Sequence, residues 1–432
     1  MIGNGVPFCK EMLEGLDSDL PPQVALDVVG EAGTNKPLKE NKHSRRVRHI
    51  SSARRIAGRN REIIQGEKYL QHTVESNKTM LVDGPASVRL VLGKAEVLGY
   101  TMKESQRVLI QIGKRLPFFV NEKSTFEVSL GASSGIAETI GSTNPPSWHT
   151  TVEAILGLQK RPAVVMILGA ADCGKSSLCT YIVNKLIDGK CKVAILDGDL
   201  GQSDIGPSTT VGYGLTSKQI SELYDLRLKN AFFVGVTSPL TAMSKTIEGL
   251  VTMEAEILKG QVDFVLVNTD GLVDGEVAAK YKADLVKSLK PDIIIGIQKQ
   301  GELAPLITCL EIPVFIVEPS FALNPRTPEK RKHLREMTYA RYLKNAKLQI
   351  YPKSQVTIEP RNVLPKNQEP EKGILVGLCG RGSKFLGIGV LREVNQLRKA
   401  LKVQTAVSAK PLRIIIGKVI VNEKLQEVQN EY

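Results

Sequence analysis

The segment with the clearest chemical potential is GAADCGKSS, from Gly169 to Ser177. It matches G-x-x-x-x-G-K-[ST], the phosphate loop of nucleotide-binding proteins, and it stands between an apolar run and a helical pattern, as that loop requires. Its glycines let N–H groups point at phosphate oxygens, and the following helix adds a positive N-terminal dipole. The pattern predicts nucleotide binding by these residues: Gly169, Ala170, Ala171, Asp172, Cys173, Gly174, Lys175, Ser176 and Ser177.

Two residues of the loop have expected roles of their own. Lys175 should reach the β- and γ-phosphates, and the Ser176 hydroxyl should bind Mg²⁺, the expected cofactor. The stretch Asn268-Thr269-Asp270 lacks the lysine and the spacing of the Asn-Lys-x-Asp guanine reader. ATP is therefore favoured as the phosphate donor, and GTP stays open.

A second chemical segment, KVAILDGDLGQSDIG, places acids at the end of an apolar strand pattern. Phosphoryl transfer needs an aligned acceptor oxygen that can lose its proton. Asp199, just past the strand end, could be the base that takes this proton, or it could act only indirectly on the metal. Asp197 is expected to order Mg²⁺ through water, and Gln202 follows on the same loop.

Other strand ends also carry polar residues, namely Thr237-Ser238 and Thr269-Asp270-Gly271. Each alone is typical of a helix cap. Together they indicate a substrate-binding crevice, because ligands of open parallel sheets bind at the carboxyl ends of the strands.

A Pro-flanked basic segment, ALNPRTPEKRKHLRE, follows the last predicted strand. It predicts a lid whose arginines, Arg326 and Arg331, close over the transferred phosphoryl group. The alternative is a solvated basic helix face.

The elements that position these residues follow from the hydrophobic pattern. Residues 150–345 alternate apolar runs with helical stretches, which predicts an α/β fold: a P-loop parallel sheet with helices on both faces. Short β-like runs predict small β modules at 73–145 and 346–432. The predicted strands of the central sheet are Val164–Leu168, Lys192–Leu196, Ala231–Val236, Asp263–Val267, Asp292–Ile297 and Ile312–Val317.

Residues 1–72 predict a basic, disordered extension, with eight Lys or Arg and no acid between Lys42 and Arg61. Such a run is typical of an arm that contacts nucleic acid, or of a solvated tail. The net charge of +13 favours a polyanionic partner. Scattered cysteines without a Cys-x-x-Cys pair argue against zinc and disulfides. No apolar run approaches the roughly 18–20 residues of a membrane span, and no secretory signal is present, so we expect a cytoplasmic protein without a membrane partner.

In their order along the chain, the motifs GAADCGKSS, DGDLGQSDIGPST, FFVGVTSP, NTDG and PRTPEKRKHLRE resemble the polynucleotide 5′-hydroxyl-kinase family. That family includes kinases of pre-mRNA cleavage, tRNA splicing and ribosomal RNA processing, with simpler archaeal relatives that this architecture approaches. The resemblance covers about residues 80–425 and implies the same P-loop fold with flanking modules.

The resemblance implies transfer of the γ-phosphate of ATP to the 5′-hydroxyl of RNA or DNA. It makes Asp199 the general base, Gln202 its polar neighbour, and Arg326 and Arg331 the lid arginines. The family's substrate clasp ends in Gly-Trp, whereas here Gly271 is followed by Leu272. Leu272 cannot stack on a base, a contact that typically contributes about 1–3 kcal/mol, so the terminal base should be held differently.

Two other functions remain compatible with these residues. One is a P-loop ATPase or GTPase that drives assembly of a partner, and the other is an ATP-binding RNA-processing scaffold with little turnover. The sequence does not identify a protein partner, and a eukaryotic source would move the expected compartment to the nucleus or nucleolus.

Overall fold

The computed structural model describes residues 69–308, 310–359 and 370–428. The predicted basic run between Lys42 and Arg61 lies outside the described residues, as do Cys9 and Cys309. Within the described ranges, no helix is both long and apolar enough to span a membrane.

The N-terminal module consists of two antiparallel sheets, with strand orders β1-β8-β3-β6 and β5-β4-β7-β2-β9. Alternating apolar residues of both sheets meet in one core, where the rings of Phe118 and Phe126 pack edge to face at 5.9 Å. The first strand begins inside the predicted extension, because its residues pair with β8 as an edge strand. The strands are β1 (Leu70–Val74), β2 (Lys78–Asp83), β3 (Ala86–Leu92), β4 (Ala95–Val97), β5 (Tyr100–Met102), β6 (Arg107–Ile110), β7 (Arg115–Val120), β8 (Ser124–Leu130) and β9 (Ile136–Ile140).

The central domain is built on a seven-stranded sheet of order β13-β12-β11-β14-β10-β15-β16. Buried residues of β10 alternate between two cores, with Val165 and Ile167 on one face and Val164 and Met166 on the other, so both faces of the sheet are covered. Its elements are α1 (Pro146–Leu156), β10 (Ala163–Gly169), α2 (Lys175–Asp188), β11 (Val193–Asp197), β12 (Thr210–Thr216), β13 (Leu228–Phe233), α3 (Met243–Ile257), β14 (Phe264–Asn268), α4 (Glu276–Leu289), β15 (Ile293–Ile297), α5 (Ala304–Ile307), β16 (Val314–Val317) and α6 (Pro328–Tyr342).

The central sheet contains one strand that the sequence did not predict, and this strand is not parallel to its neighbours. All six predicted strands are present, but β12 lies between β11 and β13 and runs antiparallel to both. Its sequence, TVGYGLT, contains two glycines that look like turn residues. They are there for close packing, since a Cβ on Gly212 would lie 2.9 Å from the Leu228 side chain and one on Gly214 3.1 Å from Leu226.

The C-terminal module is a six-stranded sheet of order β17-β21-β20-β19-β22-β18. It packs on the central domain through a shared core that contains Phe233 of β13 and Tyr339 of α6. Helix α6, which follows β16, therefore packs against the C-terminal module. The strands are β17 (Lys347–Pro352), β18 (Thr357–Glu359), β19 (Ile374–Cys379), β20 (Phe385–Asn395), β21 (Ala400–Thr405) and β22 (Arg413–Ile420).

Candidate active site

The phosphate loop connects β10 to α2 and depends on glycine at both of its bends. Gly169 has φ of 156° and Gly174 has φ of 100°. A Cβ on Gly169 would lie 2.6 Å from the Cys173 sulfur and 2.9 Å from the Ile297 carbonyl oxygen, so no larger residue fits there. Cys173 is buried beneath the loop, and burial raises the pKa of its thiol. Its role in the loop is thus that of a small packed residue.

The Lys175 ammonium lies within the loop itself. Its Nζ donates to the carbonyl oxygens of Gly169 at 2.9 Å and Ala170 at 2.7 Å. The neighbouring Ser176 hydroxyl accepts a 3.5 Å bond from the Asn268 amide. Both side chains therefore lie at the N-terminus of α2, where the helix dipole would stabilise the negative charge of a nucleotide phosphate.

Asp197 ends β11 and is fully buried. One carboxylate oxygen accepts from the Ser203 hydroxyl and the Asp204 backbone N–H, both at 2.9 Å, and the other accepts from Asn268 at 3.1 Å. Burial raises the pKa of Asp197 to about 7, and the charges of Asp204 and Asp199 add to the effect. A cation placed nearby would stabilise its ionised form.

Asp199 lies at the rim of the same strand end. Its Oδ1 accepts from the backbone N–H groups of Gly201 at 3.0 Å and Gln202 at 2.9 Å, which fixes the orientation of the carboxylate. Burial raises the pKa of Asp199, and the Lys175 charge opposes that shift. A carboxylate held this way, next to the phosphate loop, has the position and the basicity to accept a proton from a bound hydroxyl.

The lid begins where Thr327 caps α6 by accepting from the Lys330 N–H at 3.2 Å. Its arginines contact the phosphate loop through Asp172. The Asp172 carboxylate accepts from Arg331 Nη1 and from the Arg326 backbone N–H, both at 3.0 Å. Gln202 joins the same network, because its Nε2 donates to the Arg331 carbonyl at 3.1 Å and its Oε1 accepts from Arg326 at 3.4 Å.

The phosphate loop, the β11 loop and the lid thus surround one cleft of about 1050 Å³ that opens to solvent. Of the residues predicted as catalytic, Lys175, Asp199, Gln202, Arg326 and Arg331 all line it.

The loop between β6 and β7 also lines the cleft, and sequence reasoning assigned it no role. Gly113 accepts a 3.2 Å bond from Arg326 Nε through its carbonyl oxygen, and Lys114 pairs with Asp204 at 2.6 Å. The sequence feature that could have indicated this role is the pair of cationic residues, Lys114 and Arg115, that follows the turn glycine in GKRLPF.

The predicted substrate-binding segment after β14 has a different place. Asp270 is buried and paired with Lys282 at 3.0 Å, and it accepts a 2.9 Å bond from the Tyr281 hydroxyl. Thr269 donates to the Ile167 carbonyl at 2.8 Å, and a Cβ on Gly271 would lie 2.6 Å from the Ala171 backbone nitrogen. This segment packs against the phosphate loop at Ala171 and against the end of β10 at Ile167.

Within the described residues, the cleft lining includes none of the predicted substrate-binding positions: Thr237, Ser238, Thr269, Asp270, Gly271 and Leu272. Ser238 caps a short 3₁₀ turn by accepting from the Leu240 N–H. The expected contact of these residues with substrate stays a prediction.

The chain is similar to known proteins in the region that contains this cleft. Residues 169–345 match the family described as the mRNA cleavage and polyadenylation factor CLP1 P-loop. The polyribonucleotide 5′-hydroxyl-kinase of Pyrococcus furiosus is 30% identical over 54% of this chain and 65% of its own length. That of Methanocaldococcus jannaschii is 24% identical over 62% of this chain and 90% of its own length. The region that contains the site is thus similar to the polyribonucleotide 5′-hydroxyl-kinases.

These similarities confirm the resemblance that the motifs carry. The match spans less than two thirds of the Pyrococcus furiosus relative, at 65% of its length. Two solved structures of Clp1p with Pcf11p share the fold, with TM-scores of 0.64 and 0.65 at 12% identity. They cover 82% of this chain and 98% and 99% of theirs, which confirms the predicted P-loop α/β class with flanking β modules.

Proposed function

We propose that this chain is a polynucleotide 5′-hydroxyl-kinase and transfers the γ-phosphate of ATP to the 5′-hydroxyl of RNA, and of DNA if the cleft accepts it. The observation that carries the proposal is a single cleft that contains the phosphate loop, the Asp199 carboxylate and two lid arginines. A fixed carboxylate beside the loop can accept the proton of a hydroxyl nucleophile, and the lid arginines can offset the charge on the transferred phosphoryl group.

The chemistry follows from the positions of three groups. Asp199 accepts the proton of the 5′-hydroxyl while that oxygen attacks the γ-phosphorus. The bond between the γ-phosphorus and the β–γ bridging oxygen breaks, and ADP leaves. Lys175 and the lid residue Arg331 offset the charge that builds on the phosphoryl oxygens, which is the main contribution of protein groups to such reactions.

We also propose Mg²⁺ as the metal, which would supply charge neutralisation at the β- and γ-phosphates. One observation supports the fit. The Asn268 Oδ1 atom is buried without a hydrogen-bond partner among the described residues. Mg²⁺ keeps several waters and takes few protein ligands, so a small number of oxygen atoms is enough to hold it. Ser176 would bind it directly, and Asp197 would hold a coordinated water.

The test is transfer of labelled phosphate from ATP to 5′-hydroxyl oligonucleotides of RNA and DNA. Lys175→Ala and Asp199→Asn should abolish most labelling, whereas Lys287→Ala and Asp274→Asn, which remove the same charges at exposed positions of the same domain, should retain it. Absence of oligonucleotide labelling by the wild-type chain, together with ATP hydrolysis, would instead identify an ATPase that acts on a partner.

ATP binding without turnover of either kind would identify the scaffold, the second alternative. The replacement of the family's clasp tryptophan by Leu272 is the feature that keeps this candidate. The compartment, predicted as cytoplasmic, stays a prediction.

A further inference from the structure

A second cavity adjoins the cleft on the far side of the contact between Gln202 and Arg326. It is an open cavity of about 710 Å³, a figure that includes space continuous with solvent. Both cavities share Lys114, Gln202, Asp204 and Arg326, but no residue of the phosphate loop lines the second one. It is therefore continuous with the site of the base Asp199 and separate from the place of the ATP triphosphate.

The lining of this cavity includes Arg341 of α6 and Tyr224. The guanidinium carbon of Arg341 lies 4.4 Å from the ring centroid of Tyr224 and 4.8 Å from that of Tyr342. Two aromatic rings thus hold the guanidinium in place. Among the described residues, no carboxylate lies within ion-pair distance of Arg341.

The other cations of this cavity have acidic partners. Arg335 forms a bidentate pair with Glu427, with bonds of 2.7 and 2.6 Å, and Lys114 pairs with Asp204. Arg341 differs from them because its charge is held in place without being neutralised. An arginine that is fixed and uncompensated in this way binds phosphate at a lower entropic cost than a mobile one.

We propose that this second cavity binds the acceptor strand and that Arg341 binds one of its internucleotide phosphates. The proposal rests on the kinase function proposed above. A strand whose 5′-hydroxyl lies at Asp199 has its first nucleotide beside Gln202, which lines both cavities. The site would also give the acceptor a contact that does not need the aromatic clasp.

The experiment measures binding of a 5′-hydroxyl RNA oligonucleotide and the steady-state kinetics of the full chain. Arg341→Gln should weaken oligonucleotide binding and raise the KM for the oligonucleotide by about ten-fold, with the KM for ATP unchanged. The slope of log Kd against log salt should fall by roughly 0.7, the value for one phosphate contact on a single strand. Arg341→Lys should recover part of the affinity, since it keeps the charge and loses the fork.

The matched control is Arg398→Gln, which removes the same charge from an exposed position of the C-terminal module. If Arg341→Gln and Arg398→Gln change oligonucleotide affinity and salt slope equally, the phosphate contact is overturned. An unchanged KM for ATP shows that the Arg341→Gln chain is folded. Failure of the kinase proposal would appear separately, as a wild-type chain that binds the oligonucleotide but does not label it.

Discussion

The loops that follow β11 and β14 lie side by side, and in the parallel register Asp197 pairs with Asn268. Asp199 and Asp270 therefore hold equivalent positions, two residues past their strand ends. Their partners differ. Asp199 is held by two backbone N–H groups and lines the cleft, whereas Asp270 is neutralised by the fully buried Lys282. The same residue type at the same edge of a sheet thus has a place in the cleft in one loop and a buried ion pair in the other, and we propose a chemical role only for the first.

The first prediction separates these roles through catalysis. Asp199→Asn should lower the kcat of oligonucleotide phosphorylation about 10²- to 10⁴-fold, because the amide cannot accept the hydroxyl proton. The thermal midpoint should change little, since the amide oxygen can still accept the bonds from Gly201 and Gln202. The measurement is kcat with thermal unfolding of the same preparation. A comparable loss of kcat in a well-folded Asp270→Asn variant would contradict the assignment.

The second prediction concerns stability. Lys282→Met should lower the free energy of unfolding by about 3–5 kcal/mol, because it leaves the Asp270 carboxylate buried without a counter-charge. Adding Asp270→Asn should restore a large part of that loss. Denaturant unfolding of the single and double variants measures both effects. Equal stability of the single and double variants would show that the pair does not carry the structural role.

These two aspartates show which features of the site can be predicted from adjacent residues and which depend on contacts between distant ones. The phosphate loop and the strand ends were predicted because each is encoded by a few adjacent residues. The role of Asp270 was not, because Lys282 reads as an ordinary helix lysine until α4 packs behind the sheet. The contact of Asp172 with Arg331 joins residues 159 positions apart, and that of Arg326 with Gly113 spans 213. No local periodicity reports contacts of that range.

The same limit explains the missed strand β12. Its glycines are local turn signals, and their reason lies in the side chains of Leu226 and Leu228 on a different segment. Sequence alone predicted the class of fold and named the catalytic candidates that line the cleft, whereas the contacts that support these residues depend on packing between distant segments.

The third prediction tests whether the β14 loop acts on the phosphate loop through contact. Gly271→Ala would place a Cβ 2.6 Å from both the backbone nitrogen and the Cα of Ala171, so the phosphate loop must shift. Overpacking of this kind typically costs about 1–3 kcal/mol, and we expect it to appear as an increase of about ten-fold in the KM for ATP. Gly157→Ala is the control, because its nearest contacts, at 3.5 Å, are ordinary. An unchanged KM for ATP in Gly271→Ala would show that the β14 loop does not influence nucleotide binding through this contact.

The fourth prediction concerns a third buried carboxylate. Glu254 of α3 is 7% exposed, and its Oε1 has no hydrogen-bond partner among the described residues. Burial raises the pKa of Glu254 to about 7, from an ordinary value of 4.5, and the charge of Lys160 opposes that shift. Glu254 then binds more protons in the folded chain than in the unfolded chain between these two values, so its contribution to stability is largest at low pH and falls as the pH rises through that window.

Glu254→Gln removes this titration, so the variant should be more stable than the wild type at pH 8, by about 1–3 kcal/mol, and about equal to it near pH 4.5. Denaturant unfolding at both pH values measures the difference, with Glu248→Gln as an exposed control on the same helix. An equal gain at both pH values would mean that packing of the amide, and not loss of the charge, is responsible. If the gain appears only at pH 8, a buried carboxylate in this fold costs stability unless, like Asp270, it has a cation beside it.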